Sequence, residues 1–189
     1  MKKSLVVIFV IVFIVSVIAG YTVSSYNRFV SRQEAVNTAK SNVSVQLQRR
    51  ADLIPNFVAT VKGYSDYEQS TLTAVTEARA SVGKAQTVSE VEQASSELDR
   101  AISVWVNAVT EAYPDLKANA NYVALQDELA GTENRIATAR KDYNDTAKEY
   151  NLKVRSFPSN IIASIFGFDR AELFEADTNA MQSPVVTFE

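Results

Sequence analysis

The sequence contains no histidine and no cysteine, and has only five glycines, four prolines and one tryptophan. Each shortage closes off some chemistry. Histidine is the commonest general base and metal ligand, so its absence excludes a Ser-His-Asp hydrolase or a zinc hydrolase. Without cysteine there is no disulfide, no thiolate metal site, no thiol nucleophile and no lipoprotein-type lipidation. The redox compartment stays open. Gly20, Gly63, Gly83, Gly131 and Gly167 stand apart from one another, so neither a phosphate loop nor a dinucleotide fingerprint is present. Charge is nearly balanced, with 19 basic and 22 acidic residues for a net −3. That argues against nucleic acid, whose binders carry a basic surface.

What is present in excess is one apolar run. Leu5, Val6, Val7, Ile8, Phe9, Val10, Ile11, Val12, Phe13, Ile14, Val15, Ser16, Val17, Ile18, Ala19, Gly20, Tyr21, Thr22 and Val23 follow each other without a charge. A helix crossing a hydrocarbon core of roughly 30 Å needs about 20 mostly apolar residues. Lys2-Lys3 before the run and Val17-Ile18-Ala19 near its end also fit a cleaved secretory signal. Such signals carry an apolar stretch of only about 7–15 residues, however. No charge follows before Arg28, and the run is read as a retained anchor, residues 1–25. Lys2 and Lys3 on one side nearly balance Arg28, Arg32 and Lys40 on the other. The likeness to a signal-anchor places the body of this single-pass protein outside the cytoplasm.

The body reads as helix throughout. Val36, Val43 and Phe57, with Leu47, Ile54 and Val61, form one apolar stripe in steps of seven. Pro55 falls inside this pattern and predicts a kink, since the stripe resumes in phase beyond it. Gly63-Tyr64-Ser65 is expected to loosen the chain before Leu72, Val75 and Ala78 continue in helix. A turn is expected over residues 83–87. Thr87-Val88-Ser89-Glu90 then spells a capping box, opening a helix with Val91, Leu98 and Trp105 on one row. Tyr113-Pro114 ends it. A last long helix is predicted from about Asn119 to Ser156, carrying Tyr122, Leu129, Ile136, Tyr143 and Tyr150 in steps of seven. Ile161–Phe168 is a second apolar segment, too short to span a bilayer; it either closes the core or meets an interface. Residues 177–189 form a polar tail with a possible short strand at Pro184–Phe188. Short connections between amphipathic helices place neighbours side by side. The fold class is therefore all-α: a transmembrane helix, then an antiparallel bundle of three to four long helices over residues 26–176.

Polar residues close to the stripes are the candidates for special roles. Arg50 occupies the stripe position between Val43 and Phe57 and needs a partner, because an unpaired buried charge is costly. Asp52, Glu111, Glu128 and Glu133 are candidates, with Arg49 adjacent. Glu128, Glu133 and Arg140 form a second such set. Tyr143-Asn144 and Tyr150-Asn151 repeat one heptad apart, which predicts interhelical hydrogen bonds from the tyrosine hydroxyls. All of these read as an internal network that sets helix register. A carboxylate di-metal site is set aside, since bundle sites of that kind also draw on Glu-x-x-His pairs.

Several stretches together resemble the LemA family of bacterial membrane-associated proteins. They are Tyr26-Asn27-Arg28-Phe29-Val30, the run from Val45 to Asn56, Val61-Lys62-Gly63-Tyr64, and Glu111 to Asn119. Leu125 to Leu129, Glu133 to Ile136, Ala139 to Asn144, Tyr150-Asn151, Phe157-Pro158 and Gly167-Phe168 follow in the same order. One departure is Tyr67-Glu68, where the family pattern has histidine before the glutamate. The resemblance implies a membrane helix followed by a helical bundle, no established enzymatic activity and no catalytic residues to transfer. The expectation is a non-enzymatic, membrane-anchored scaffold or adaptor without cofactor or metal. It would meet the lipid bilayer through its anchor and protein partners or copies of itself through the bundle. The alternatives are a membrane-remodelling or lipid-interacting protein, or an accessory factor to a membrane enzyme.

Overall fold

The computed structural model describes residues 2–62 and 69–175. Among them the chain is all helical, with α1 (Lys2–Lys62), α2 (Gln69–Val82), α3 (Val88–Ala112), α4 (Ala120–Arg155) and α5 (Ser159–Phe166). A 3-10 turn, Pro114–Ala118, joins α3 to α4. The loosening expected at Gly63-Tyr64-Ser65 and the strand at Pro184–Phe188 lie outside the described residues.

α1 carries the apolar run, and it is the one helix among the described residues long and apolar enough to cross a membrane. Its first part has no protein against it: Leu5 is 66% and Phe9 74% exposed. Polar groups within the run are turned back on the helix. The Ser16 hydroxyl donates to the Val12 carbonyl at 2.8 Å and the Thr22 hydroxyl to Ile18 at 2.9 Å, which leaves neither hydroxyl unpaired within the apolar run. α1 continues through Pro55, so the proline does not stop the helix.

The chain packs as two compact units. The first comprises Met1–Val43 and Lys141–Glu172. Here α1 and α4 run antiparallel, since Phe29 meets Tyr150 and Arg32 meets Glu149. Phe29, Val36, Val43, Tyr143, Ala147 and Tyr150 are buried between them. α5 closes this unit: Ile162 and Ala163 are buried, Phe168 stacks on Phe29 at 5.0 Å, and Phe166 meets the edge of Tyr26 at 5.0 Å. α4 stops at the Phe157-Pro158 pair, whose peptide bond is cis. Gly167 caps α5 at φ 71°, a left-handed conformation open to glycine because it lacks a Cβ. The extended segment after it is held by α4. Asn151 donates to and accepts from the Ala171 backbone, both at 2.8 Å, and the Tyr143 hydroxyl donates to the Glu172 carbonyl at 2.8 Å. The Tyr143 hydroxyl thus ties α4 to the extended segment that α5 sends back along it.

Among the described residues, the second unit comprises residues 44–62, 69–140 and 173–175. Arg50 meets Asp99 on α3 and Glu133 on α4, while Phe57 meets Trp105 on α3 and Tyr122 on α4. Those pairings make α3 parallel and α4 antiparallel to α1. The core holds Ala51, Ile54, Phe57, Val61, Val75, Leu98, Ile102, Trp105, Val109, Leu116, Tyr122 and Leu129. Phe57 sits 5.0 Å from both Trp105 and Tyr122 in edge-on contacts, a geometry that adds about 0.5–1.5 kcal/mol per pair beyond burial. The Tyr122 hydroxyl shares a hydrogen bond with Thr110 at 2.8 Å. At the start of α3 the capping box forms as spelled: the Glu90 amide donates to the Thr87 hydroxyl and the Thr87 amide to the Glu90 carboxylate. The Thr87 amide and, beside it, the Gln86 amide both donate to the Glu90 carboxylate and hold it below its ordinary pKa.

Candidate functional site

The polar residues singled out from the stripes fall into both units. Tyr143 and Asn144 belong to the first; Arg49, Arg50, Asp52, Glu111, Glu128, Glu133 and Arg140 belong to the second. Arg50 is the buried charge of the second unit, 5% exposed. Its Nη1 lies 2.7 Å from Asp99 Oδ1 and its Nη2 3.5 Å from Glu133 Oε2. The Asp99 contact is close charge without an aligned hydrogen bond, because Asp99 Oδ1 and Arg50 Nε are both buried with no hydrogen-bond partner.

The rest of the set pairs elsewhere. Asp52 faces Arg79 at 3.4 Å, an exposed contact across α1 and α2. Glu128 pairs with Arg135, two turns along α4, at 2.6 Å. Arg140 lies over the Phe174 ring at 5.5 Å, a cation–π distance, and its charge also acts on Asp99. Arg49 and Glu111 are exposed. Asp99 is absent from the residues picked out by sequence. It sits one place beyond Leu98, just off the buried row of α3, and only the register of α3 against α1 brings it to Arg50.

The cluster joins α1, α3 and α4 within the second unit. Burial pushes the Asp99 carboxyl above the ordinary aspartate range, and the Arg50 charge only partly offsets that. Ser95, Gln46 and Arg140 also bear buried polar atoms without a hydrogen-bond partner, a pattern that ordered water satisfies in protein interiors. Among the described residues no group of three or more carboxylates is placed to hold a metal. In the first unit, burial raises the phenols of Tyr143 and Tyr150 above their usual pKa, so both act as neutral packing groups.

A family model described as the LemA family matches residues 39–188. Magnetosome protein MamQ 2 of Paramagnetospirillum magneticum is 28% identical over 187 residues, covering 86% of this chain and 68% of that protein. Magnetosome protein MamQ of Magnetospirillum gryphiswaldense is 28% identical with the same coverage. Protein LemA of Metamycoplasma hominis is 27% identical over 172 residues, covering 89% of this chain and 78% of that protein.

The pair geometry makes an asymmetric prediction. Asp99→Ala strands the buried guanidinium with only the longer Glu133 contact and is expected to cost about 3 kcal/mol. Arg50→Met keeps an apolar side chain of similar length on the stripe and leaves side chains that are 40% (Asp99) and 65% (Glu133) exposed, so it is expected to cost less than Asp99→Ala. Denaturant unfolding of the full chain in detergent checks both, and a costly Arg50→Met beside a silent Asp99→Ala contradicts this account. The pH dependence has a defined sign. A carboxyl raised in the folded state binds its proton more tightly there, so its contribution is full at low pH and lost as pH rises through the carboxylate range. The stability of the natural chain relative to Asp99→Asn should therefore fall as pH rises through the ordinary aspartate range and above it.

Proposed function

Because the chain belongs to the LemA family, we propose that it is a non-enzymatic, membrane-anchored scaffold that presents a helical bundle to protein partners or to copies of itself. One observation carries this reading. α1 passes from the exposed apolar run into the buried positions Phe29, Val36 and Val43 without a break. A bundle unit joined to its anchor through continuous helix has a set orientation to the bilayer, whereas a flexible linker would leave it free to tumble. A substrate-processing enzyme has little need of that constraint; a platform for other proteins depends on it. The magnetosome proteins among the relatives fit the same reading. The bundle is assigned to the outside of the cytoplasm, on the signal-anchor character of residues 1–25.

A second reading, direct contact of the bundle with lipid, is favoured by α5. Ile161 is 49% and Ile165 68% exposed, four residues apart on one side of α5, and Phe157, in the turn before the helix, is 81% exposed. α5 packs on Tyr26, just beyond the end of the run, which supports a position for this apolar side near a membrane surface.

Chemical crosslinking of the full chain in native membranes tests the scaffold. A reproducible partner band or a dimer is expected; monomer alone, under conditions that crosslink a known membrane dimer, contradicts it. Lipid contact is checked with Ile165→Trp in vesicles containing brominated lipid. Strong quenching is expected, and fluorescence indifferent to bromine removes that reading.

A further inference from the structure

At the membrane-proximal end of the first unit, a groove of about 940 Å³ opens between α1 and the end of α4. Ser24, Ser25, Arg28 and Arg32 line it from α1, and Lys153 lines it from α4. Three of its lining residues are basic and one, Glu149, is acidic. Glu149 is already engaged with Arg32 at 3.2 Å. Arg28 and Lys153 form no ion pair among the described residues, so the groove keeps an excess of positive charge. Ser25 adds a neutral donor: it is 7% exposed and makes no hydrogen bond to another described residue, yet it lines the groove. Tyr21, from the last turn of the apolar run, and Phe157 complete the lining with aromatic surface.

Depth decides what this charge meets. The headgroup layer adds roughly 5–7 Å on each side of the hydrocarbon core. Arg28 follows Val23 by five residues, which places it about 7 Å beyond the run at 1.5 Å per residue. On α4, Tyr150 is level with Phe29 and Glu149 with Arg32. Lys153, one turn further along the antiparallel helix, therefore lies at or below the level of Arg28. Both cations stand where lipid phosphates lie, and the aromatic lining continues the groove toward the acyl chains.

We propose that this groove binds the phosphate of an anionic phospholipid from the adjoining leaflet, with Arg28 and Lys153 as its charged contacts and Ser25 as a hydrogen-bond donor. The assignment rests on Leu5–Val23 spanning the bilayer and is independent of any protein partner. It makes the anchor part of a composite site, in which the helix crossing the membrane also builds one wall of a lipid-binding groove. Juxtamembrane basic residues attract anionic lipid through this charge complementarity, but a groove adds selection by shape.

The test uses the full chain in detergent, examined by native mass spectrometry with short-chain phosphatidylglycerol, phosphatidylcholine or inorganic phosphate as probes. One tightly held phosphatidylglycerol per chain is expected. Arg28→Gln combined with Lys153→Gln should weaken it at least roughly tenfold, while Arg100→Gln on α3 leaves it unchanged. Because Arg28 and Lys153 are exposed, the double variant is expected to keep its helical circular dichroism. Equal binding in the double variant overturns the proposal. So does displacement of the lipid by equimolar inorganic phosphate, which would make this a site for a soluble anion. Alkaline carbonate extraction separates the failures. Release of the chain from membranes removes the span itself, whereas retention together with unchanged lipid binding overturns the groove alone.

Discussion

One helix has to satisfy two solvents. Over its first turns α1 offers apolar side chains on every side and lies unburied, a surface suited to lipid. Farther on, the same helix presents a stripe of Phe29, Val36, Val43, Leu47, Ile54, Phe57 and Val61 to protein. In lipid every backbone amide must be bonded within the segment, so the crossing has to be helical. Nothing in the sequence between Val23 and Phe29 breaks that state, and helix propagates cheaply once formed. The anchor thereby supplies a pre-formed first helix on which the rest of the first unit packs. α4 meets α1 at Phe29 and Arg32, and α5 seals the junction through Phe166 and Phe168.

The second unit answers a different problem, that of choosing one register among several that would bury apolar rows. Trp105, Phe57 and Tyr122 supply volume and edge-on contacts, but slippage by a turn would still bury much of each row. Arg50 adds a polar condition to that choice, because the observed alignment of α3 and α4 brings Asp99 and Glu133 to it. Buried ion pairs contribute little net stability and are best understood as devices for specificity. We hold that to be the role of Arg50, consistent with a carboxyl whose burial outweighs its attraction to the guanidinium.

Much of this architecture is legible in the sequence because heptad spacing is a local signal. The buried rows of α1, α3 and α4, the capping box at Thr87 and the end of α3 before Pro114 could all be read from neighbours in the chain. What escaped depends on residues distant in sequence. Asp99 has no mark of a buried partner until α3 is laid beside α1. The bonds from Tyr143 and Asn151 to the segment after Gly167 form only because the chain doubles back along α4, which no local pattern marks. The basic groove is equally invisible in one dimension, since Arg28 and Lys153 are joined only by the antiparallel return of α4. Spacing reveals which face of a helix is buried, and tertiary register decides which polar groups meet there.

The account stands on the continuity of α1 from lipid into protein, and amide hydrogen exchange of the full chain in nanodiscs tests that most directly. Slow exchange is predicted without a gap from the apolar run through Ser24, Ser25 and Asn27 to Val36. Rapid exchange confined to the stretch between Val23 and Phe29 would reveal a hinge, leaving the run a simple tether and contradicting the idea of a bundle held at a set angle to its membrane.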